Sequence, residues 1–107
     1  MTQEFQIGGV ANGIWVIQTT GGAQVGNITF STNGATASTL SLYDSVFAGT
    51  NLLNNITIPA SGSITFFYGV ILQNGLTISI TDAASHAMVG IEPPPGGNPY
   101  ATNVRGR

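Results

Sequence analysis

Punctuation constrains this chain more than anything else: short β-branched runs recur every 8 to 15 residues, each closed by glycine, asparagine, serine or proline. Ile14-Trp15-Val16-Ile17-Gln18 follows Asn12-Gly13 and stops at Gly21-Gly22. Gln24 to Phe30 runs into the turn Ser31-Thr32-Asn33-Gly34. Ser38 to Tyr43 alternates polar and apolar, which puts Leu40 and Leu42 on one face of a strand. Asn55-Ile56-Thr57-Ile58 repeats the alternation up to Pro59, which has no N–H for a ladder and ends the run. Ser63 to Tyr68 and Val70-Ile71-Leu72 follow. Asn74-Gly75 reads as a hairpin turn, because both residues tolerate positive φ. Beyond it Leu76, Ile78 and Ile80 share one face, and Ala87 to Ile91 is the last run.

No window carries a 3.6-residue period for more than a turn or two, so helices are not expected. Seven or eight short strands specify an all-β fold, a single antiparallel β-sandwich or jelly roll. A small closed barrel satisfies the same pattern; the sandwich is the preferred reading. Asn27 to Gly34 and Asn55 to Gly62 match at four of eight positions, which strand-then-turn grammar alone produces.

Charge then removes whole classes of function. Only Glu4, Asp44, Asp82, Glu92, Arg105 and Arg107 are charged among 107 residues, and there is no lysine. Nucleic-acid binding needs cations to displace phosphate counterions, so it is not expected. Disorder needs low hydrophobicity and high net charge, whereas 42% of this chain is hydrophobic and its net charge is −2. No cysteine means no disulfide framework. The longest apolar run, Ile64 to Leu72, is broken by Thr65 and Gly69 and falls short of the ~20 residues that span a bilayer. Met1-Thr2-Gln3-Glu4 lacks the cationic start of a signal peptide. No membrane association is expected.

Catalytic chemistry is not legible. His86 is the only histidine, and although Asp82 and Ser85 lie close in sequence, triads are assembled from segments brought together in space. It reads as a solvated turn histidine. One histidine without cysteine does not make a zinc site, and Asp44 and Asp82 are too few and too far apart for calcium. Gly8-Gly9 and Gly21-Gly22 lack the spacing of a phosphate loop. Asn27-Ile28-Thr29 and Asn55-Ile56-Thr57 match a glycosylation sequon by pattern only. No enzyme activity, cofactor or metal is expected.

Residues 93–107 differ from the rest. Pro93-Pro94-Pro95-Gly96-Gly97-Asn98-Pro99-Tyr100 excludes a helix or a central strand and favours polyproline II geometry. The expected division is a sandwich over 1–92 and an extended arm over 93–107, which at full stretch reaches roughly 45 to 50 Å. Both arginines sit in the arm and all four acids precede it. Such a segment reads either as a frayed end or as an arm laid on a neighbouring subunit.

The aromatic residues are mostly core by position. Ile14-Trp15-Val16-Ile17 is nevertheless apolar on both sides, and such a strand is buried on both faces, inside the fold or against another subunit. Ile64 to Leu72 is uncharged, β-prone and free of proline, the composition of an aggregation hazard. Soluble proteins guard such strands with charge, and this chain has almost none. It is expected to be covered by identical copies or a larger surface. Candidate partner-binding residues are Trp15 together with Pro93, Pro94, Pro95, Tyr100, Arg105 and Arg107.

Four motifs in order, Thr39-Leu40-Ser41-Leu42-Tyr43-Asp44, Gly49-Thr50-Asn51-Leu52-Leu53, Ile56-Thr57-Ile58-Pro59-Ala60-Ser61-Gly62 and Asn74-Gly75-Leu76, resemble a group of small phage virion structural proteins. The resemblance spans about residues 10 to 91. It implies a non-enzymatic virion component, first of all a capsid decoration or cement protein bound to the major capsid protein of an assembled shell. It further implies a homotrimer, located in virions assembled in the host cytoplasm. Tyr43-Asp44 would close a strand, and Asn74-Gly75 would form the hairpin turn. A fibre adhesion module and a head–tail connector are the competing readings.

Overall fold

Residues 3–67 and 69–92 are described by the computed structural model. They form eight strands: β1 (Gln3–Gly8), β2 (Gly13–Gln18), β3 (Gln24–Thr32), β4 (Ser38–Tyr43), β5 (Leu52–Ile58), β6 (Ser63–Phe67), β7 (Leu76–Ile80) and β8 (Ser85–Glu92). No helix long and apolar enough to cross a membrane occurs among the described residues. The strands pair antiparallel in two four-stranded sheets, ordered β1-β8-β3-β6 and β2-β7-β4-β5. Consecutive strands mostly cross between sheets, and late strands return to pair with early ones, as in a jelly roll. The sandwich is therefore the fold, and the closed barrel is not.

Alternation dictates the core. Phe5 and Ile7 of β1, Ile28 and Phe30 of β3, Leu40 and Leu42 of β4, Leu76, Ile78 and Ile80 of β7, and Val89 and Ile91 of β8 are all buried between the sheets. Trp15, Leu53, Ile56 and Phe66 pack against that cluster from its margin. Each neighbouring position in these strands turns outward, which is the period-2 rule at work.

Three sequence expectations need correction. β1 was not anticipated, although Gln3-Glu4-Phe5-Gln6-Ile7 alternates; with two apolar residues its signal is short. Val70-Ile71-Leu72 is not a strand of its own. It continues the β6 path along β3, tied by Gly69 N to Val25 O, Val25 N to Val70 O and Leu72 N to Ala23 O, each at 2.8 Å, with one isolated bridge at Ile71. Asn74-Gly75 is not a hairpin turn, because β6 and β7 belong to different sheets. It is the end of a crossover, and its N–H groups serve another purpose.

The loops gather at two ends. At one, the turns following β3, β5 and β7 meet: Ser61 N donates to Gly34 O at 3.2 Å and Asn33 N to Ala84 O at 3.1 Å. Asp82 secures this end by accepting from Ala84 N at 3.1 Å and from the Thr36 hydroxyl at 3.4 Å. The other end holds the 44–51 loop and the 69–75 crossover, and β8 arrives there at Glu92. The arm expected over 93–107 lies outside the described residues.

Candidate assembly surface

The outer face of the β2-β7-β4-β5 sheet is set by its register. One row across it runs Val16, Thr77, Tyr43, Leu52, and the next runs Ile14, Ser79, Ser41, Asn55. Ile14 is 59% exposed and Leu52 56%, at opposite edges of the face. Val16 and Tyr43 are half-buried. β-branched and hydroxyl side chains fill the middle, as the alternating sequence requires.

One corner of this face is roofed by the 44–51 loop. Thr77, though directed outward, is fully buried, and its hydroxyl donates to Ser45 O at 2.7 Å. The loop is anchored by Asp44, a residue only 7% exposed. Its Oδ1 accepts from Gln73 N at 3.0 Å, Asn74 N at 2.8 Å and Gly75 N at 3.3 Å, and Oδ2 from Gln73 N at 2.9 Å. Successive backbone N–H groups converging on one carboxylate form an anion nest supplied by the chain itself. Gly75 makes this geometry available: its φ is +152°, and a Cβ there would press on the Gln18 carbonyl. Asn51 closes the loop, donating Nδ2 to Asp44 O at 3.1 Å and accepting at its O from Asp44 N at 2.9 Å. Phe47, at the loop's crest, is left 69% exposed.

The opposite sheet turns a different face outward. Glu4, Gln6, His86, Met88 and Thr29 project from it in register, around a shallow depression of about 140 Å³ lined by Gln6, Thr29, Ser31, His86 and Met88. Exposed apolar side chains also mark the edge that β6 begins, with Ile64 38% and Ile71 60% exposed while Leu72 is buried. The run expected to need covering thus presents part of its apolar surface, and the rest fills the core.

Among the sequence candidates, Trp15 lies on β2 facing inward, half-buried, with its ring over Gly13. The outward residues of that strand are its neighbours Ile14 and Val16. Pro93, Pro94, Pro95, Tyr100, Arg105 and Arg107 lie outside the described residues. His86 is exposed, as expected of a solvated residue, but sits on strand β8 and not in a turn. Ser85 points into the sandwich and donates to Ser38 Oγ at 2.6 Å, so the sheet itself separates it from His86. Ile14, Leu52 and Phe47 were missed as surface residues. Ile14 was legible only as one side of a strand apolar on both; nothing in the sequence marked which of Leu52 and Leu53 faces outward, or that Phe47 does.

No protein-family model matches the sequence, and no curated protein matches it. Solved structures do share the fold. One is a subunit from the work "Bacillus endospore appendages form a novel family of disulfide-linked pili", 13% identical over 88% of this chain and 84% of that one, with a TM-score of 0.59. Another is the nucleoplasmin-like N-terminal domain of Drosophila FKBP39, 10% identical over 86% and 87%, TM-score 0.56. The coat protein of Tobacco streak virus overlaps more loosely, 10% identical over 92% and 90%, TM-score 0.41. Identities this low speak to architecture alone.

Proposed function

We propose that this chain is a non-enzymatic structural protein that works as part of an assembly, and specifically a phage capsid decoration protein bound to the major capsid protein of a completed shell. The observation that carries the reading is an uncharged outer sheet face with Ile14, Leu52 and Phe47 more than half exposed. A free monomer with so little charge has small colloidal protection, and a face that carries exposed apolar side chains with no charged guards suits a contact surface. The order of motifs from Thr39 to Leu76 directs the reading to virions, and its resemblance implies three copies per unit. The disulfide linkage named for the Bacillus pili is closed to a chain without cysteine.

Residues 93–107 are the proposed clamp, with Pro93, Pro94, Pro95, Tyr100, Arg105 and Arg107 as its contact residues. Ordering a free segment costs roughly 1 to 2 kcal/mol per residue, and prolines lower that cost by restricting the unbound chain. Many weak linked contacts then raise avidity. Cryo-electron microscopy of the parent particle locates the chain; removal of residues 93–107 should lower shell occupancy with the fold intact. Unchanged occupancy rejects the clamp. An adhesion module is the second reading, favoured by Phe47 standing 69% exposed on a loop. Glycan-array binding that fails in Phe47→Ala would decide for it.

A further inference from the structure

We propose that the outer face of the β2-β7-β4-β5 sheet is a pairing surface for a second copy of this chain, packed face on face; the inference rests on the assembly reading and names its first contact. The argument from charge comes first. Every formal charge among the described residues is negative: Glu4, Asp44, Asp82 and Glu92. Asp44 is buried beneath its loop and Asp82 sits in the turn after β7. Glu4 and Glu92 fall on the outward positions of the other sheet. Two copies meeting through the β2-β7-β4-β5 face therefore bring no acid against another, whereas meeting through the other sheet carries Glu4 and Glu92 of both copies into the contact. Like charges brought together cost affinity and suppress that mode.

Area agrees with a single copy as the occupant. Four strands of five to seven residues make a plane of roughly 20 Å by 19 Å at ordinary strand rise and spacing. That plane is about 380 Å², and with side-chain relief and the Phe47 loop added it falls in the small, transient class of interfaces, below the ~800 Å² per partner of a standard one. The anchors have the right kind and placement: Ile14 at one edge, Leu52 at the other and Tyr43 between, with Phe47 on the loop that roofs one corner. Aromatic and aliphatic side chains around a core without charge are what contact surfaces concentrate. A face that meets itself closes at two copies. The pair, not the trimer implied by the resemblance, is then the first unit of assembly.

The test is sedimentation equilibrium of the full chain from micromolar to millimolar concentration, with circular dichroism melts on every variant. The wild type should reach the mass of two copies. Ile14→Glu and Leu52→Glu, both at exposed positions, should each weaken pairing at least tenfold, and Thr29→Glu on the other sheet should not. Circular dichroism spectra like that of the wild type in both glutamate variants separate loss of pairing from loss of fold. Pairing that survives both glutamates, or fails equally in Thr29→Glu, overturns the face and leaves the assembly reading standing. A mass of three copies does the same. A wild type that stays single overturns the pairing, and shell occupancy then decides the assembly reading separately.

Discussion

Replacing Asp44 by alanine should unfold the 44–51 loop's anchor and a large part of the domain's stability with it. The carboxylate receives three backbone donors, from Gln73, Asn74 and Gly75, between 2.8 and 3.3 Å. A hydrogen bond to a charged group contributes about 1.5 to 3 kcal/mol net. The three share one acceptor, and the crossover partly relaxes to water when it is lost, so their contributions do not sum. A loss of about 3 to 5 kcal/mol is expected, a large share of the ~5 to 15 kcal/mol that holds a domain together. For a domain of this size that is a fall in Tm of more than about 12 °C. Asp44→Asn keeps one acceptor oxygen but turns an NH2 toward the same donors, so it should fall between alanine and wild type. Thermal and urea unfolding followed by circular dichroism measure both, and hydrogen exchange at Gln73, Asn74 and Gly75 should quicken in each. If both variants stay within about 1 kcal/mol of wild type, the carboxylate is not the clamp and the loop is held by its apolar contacts.

Gln18 is completely buried, and neither Oε1 nor Nε2 finds a partner among the described residues; Gln18→Leu, of similar volume, should therefore raise stability by about 1 to 3 kcal/mol in the same unfolding assay. A loss of stability would mean that the amide is satisfied in solution. Pairing through an uncharged face should respond less than about threefold to sodium chloride between low and physiological strength, since screening has little to act on, and should strengthen in sulfate. Sedimentation at each salt reads both, and a steep weakening with sodium chloride would point to an ionic contact elsewhere.

Most of the architecture was legible because the chain writes its strands in period 2. Leu40 and Leu42, and Leu76, Ile78 and Ile80, were assigned to shared inward faces from spacing alone, and all are buried. Pro59 ends β5 where a missing donor must end it. The errors have local causes. Alternation in β1 carries only Phe5 and Ile7, and a two-residue signal is easily passed over. Val70-Ile71-Leu72 is β-prone, but its segment lies along β3 with only one ladder bridge, so propensity overstated it. Asn74-Gly75 has hairpin chemistry, yet pairing partners are chosen by the fold, and here the positive φ of Gly75 serves to aim N–H groups at Asp44. That contact joins residues about thirty positions apart. No local pattern announces it.

Composition also misstates how polar the pairing face is. Its centre is rich in threonine and serine, which would ordinarily argue for a hydrated surface, because a hydroxyl stripped of water without a partner is costly. Here several of the hydroxyls are already engaged within the face. Those of Thr39 and Thr57 meet at 2.8 Å, Ser41 donates to Asn55 Oδ1 at 3.4 Å, and Thr77 donates to Ser45 O at 2.7 Å. Thr81 accepts at its Oγ1 from Thr39 N at 3.0 Å. Groups bonded to one another leave less for water to supply, so covering them exposes fewer unmet donors and acceptors. Low charge keeps a second copy from being repelled, and this internal bonding keeps its approach from being expensive. The two effects have separate residues behind them: the first depends on where four acids were placed, the second on a cross-strand ladder of hydroxyls. Substituting Thr57 by valine tests only the second, since it leaves every charge where it was and frees one hydroxyl, that of Thr39, to face the partner.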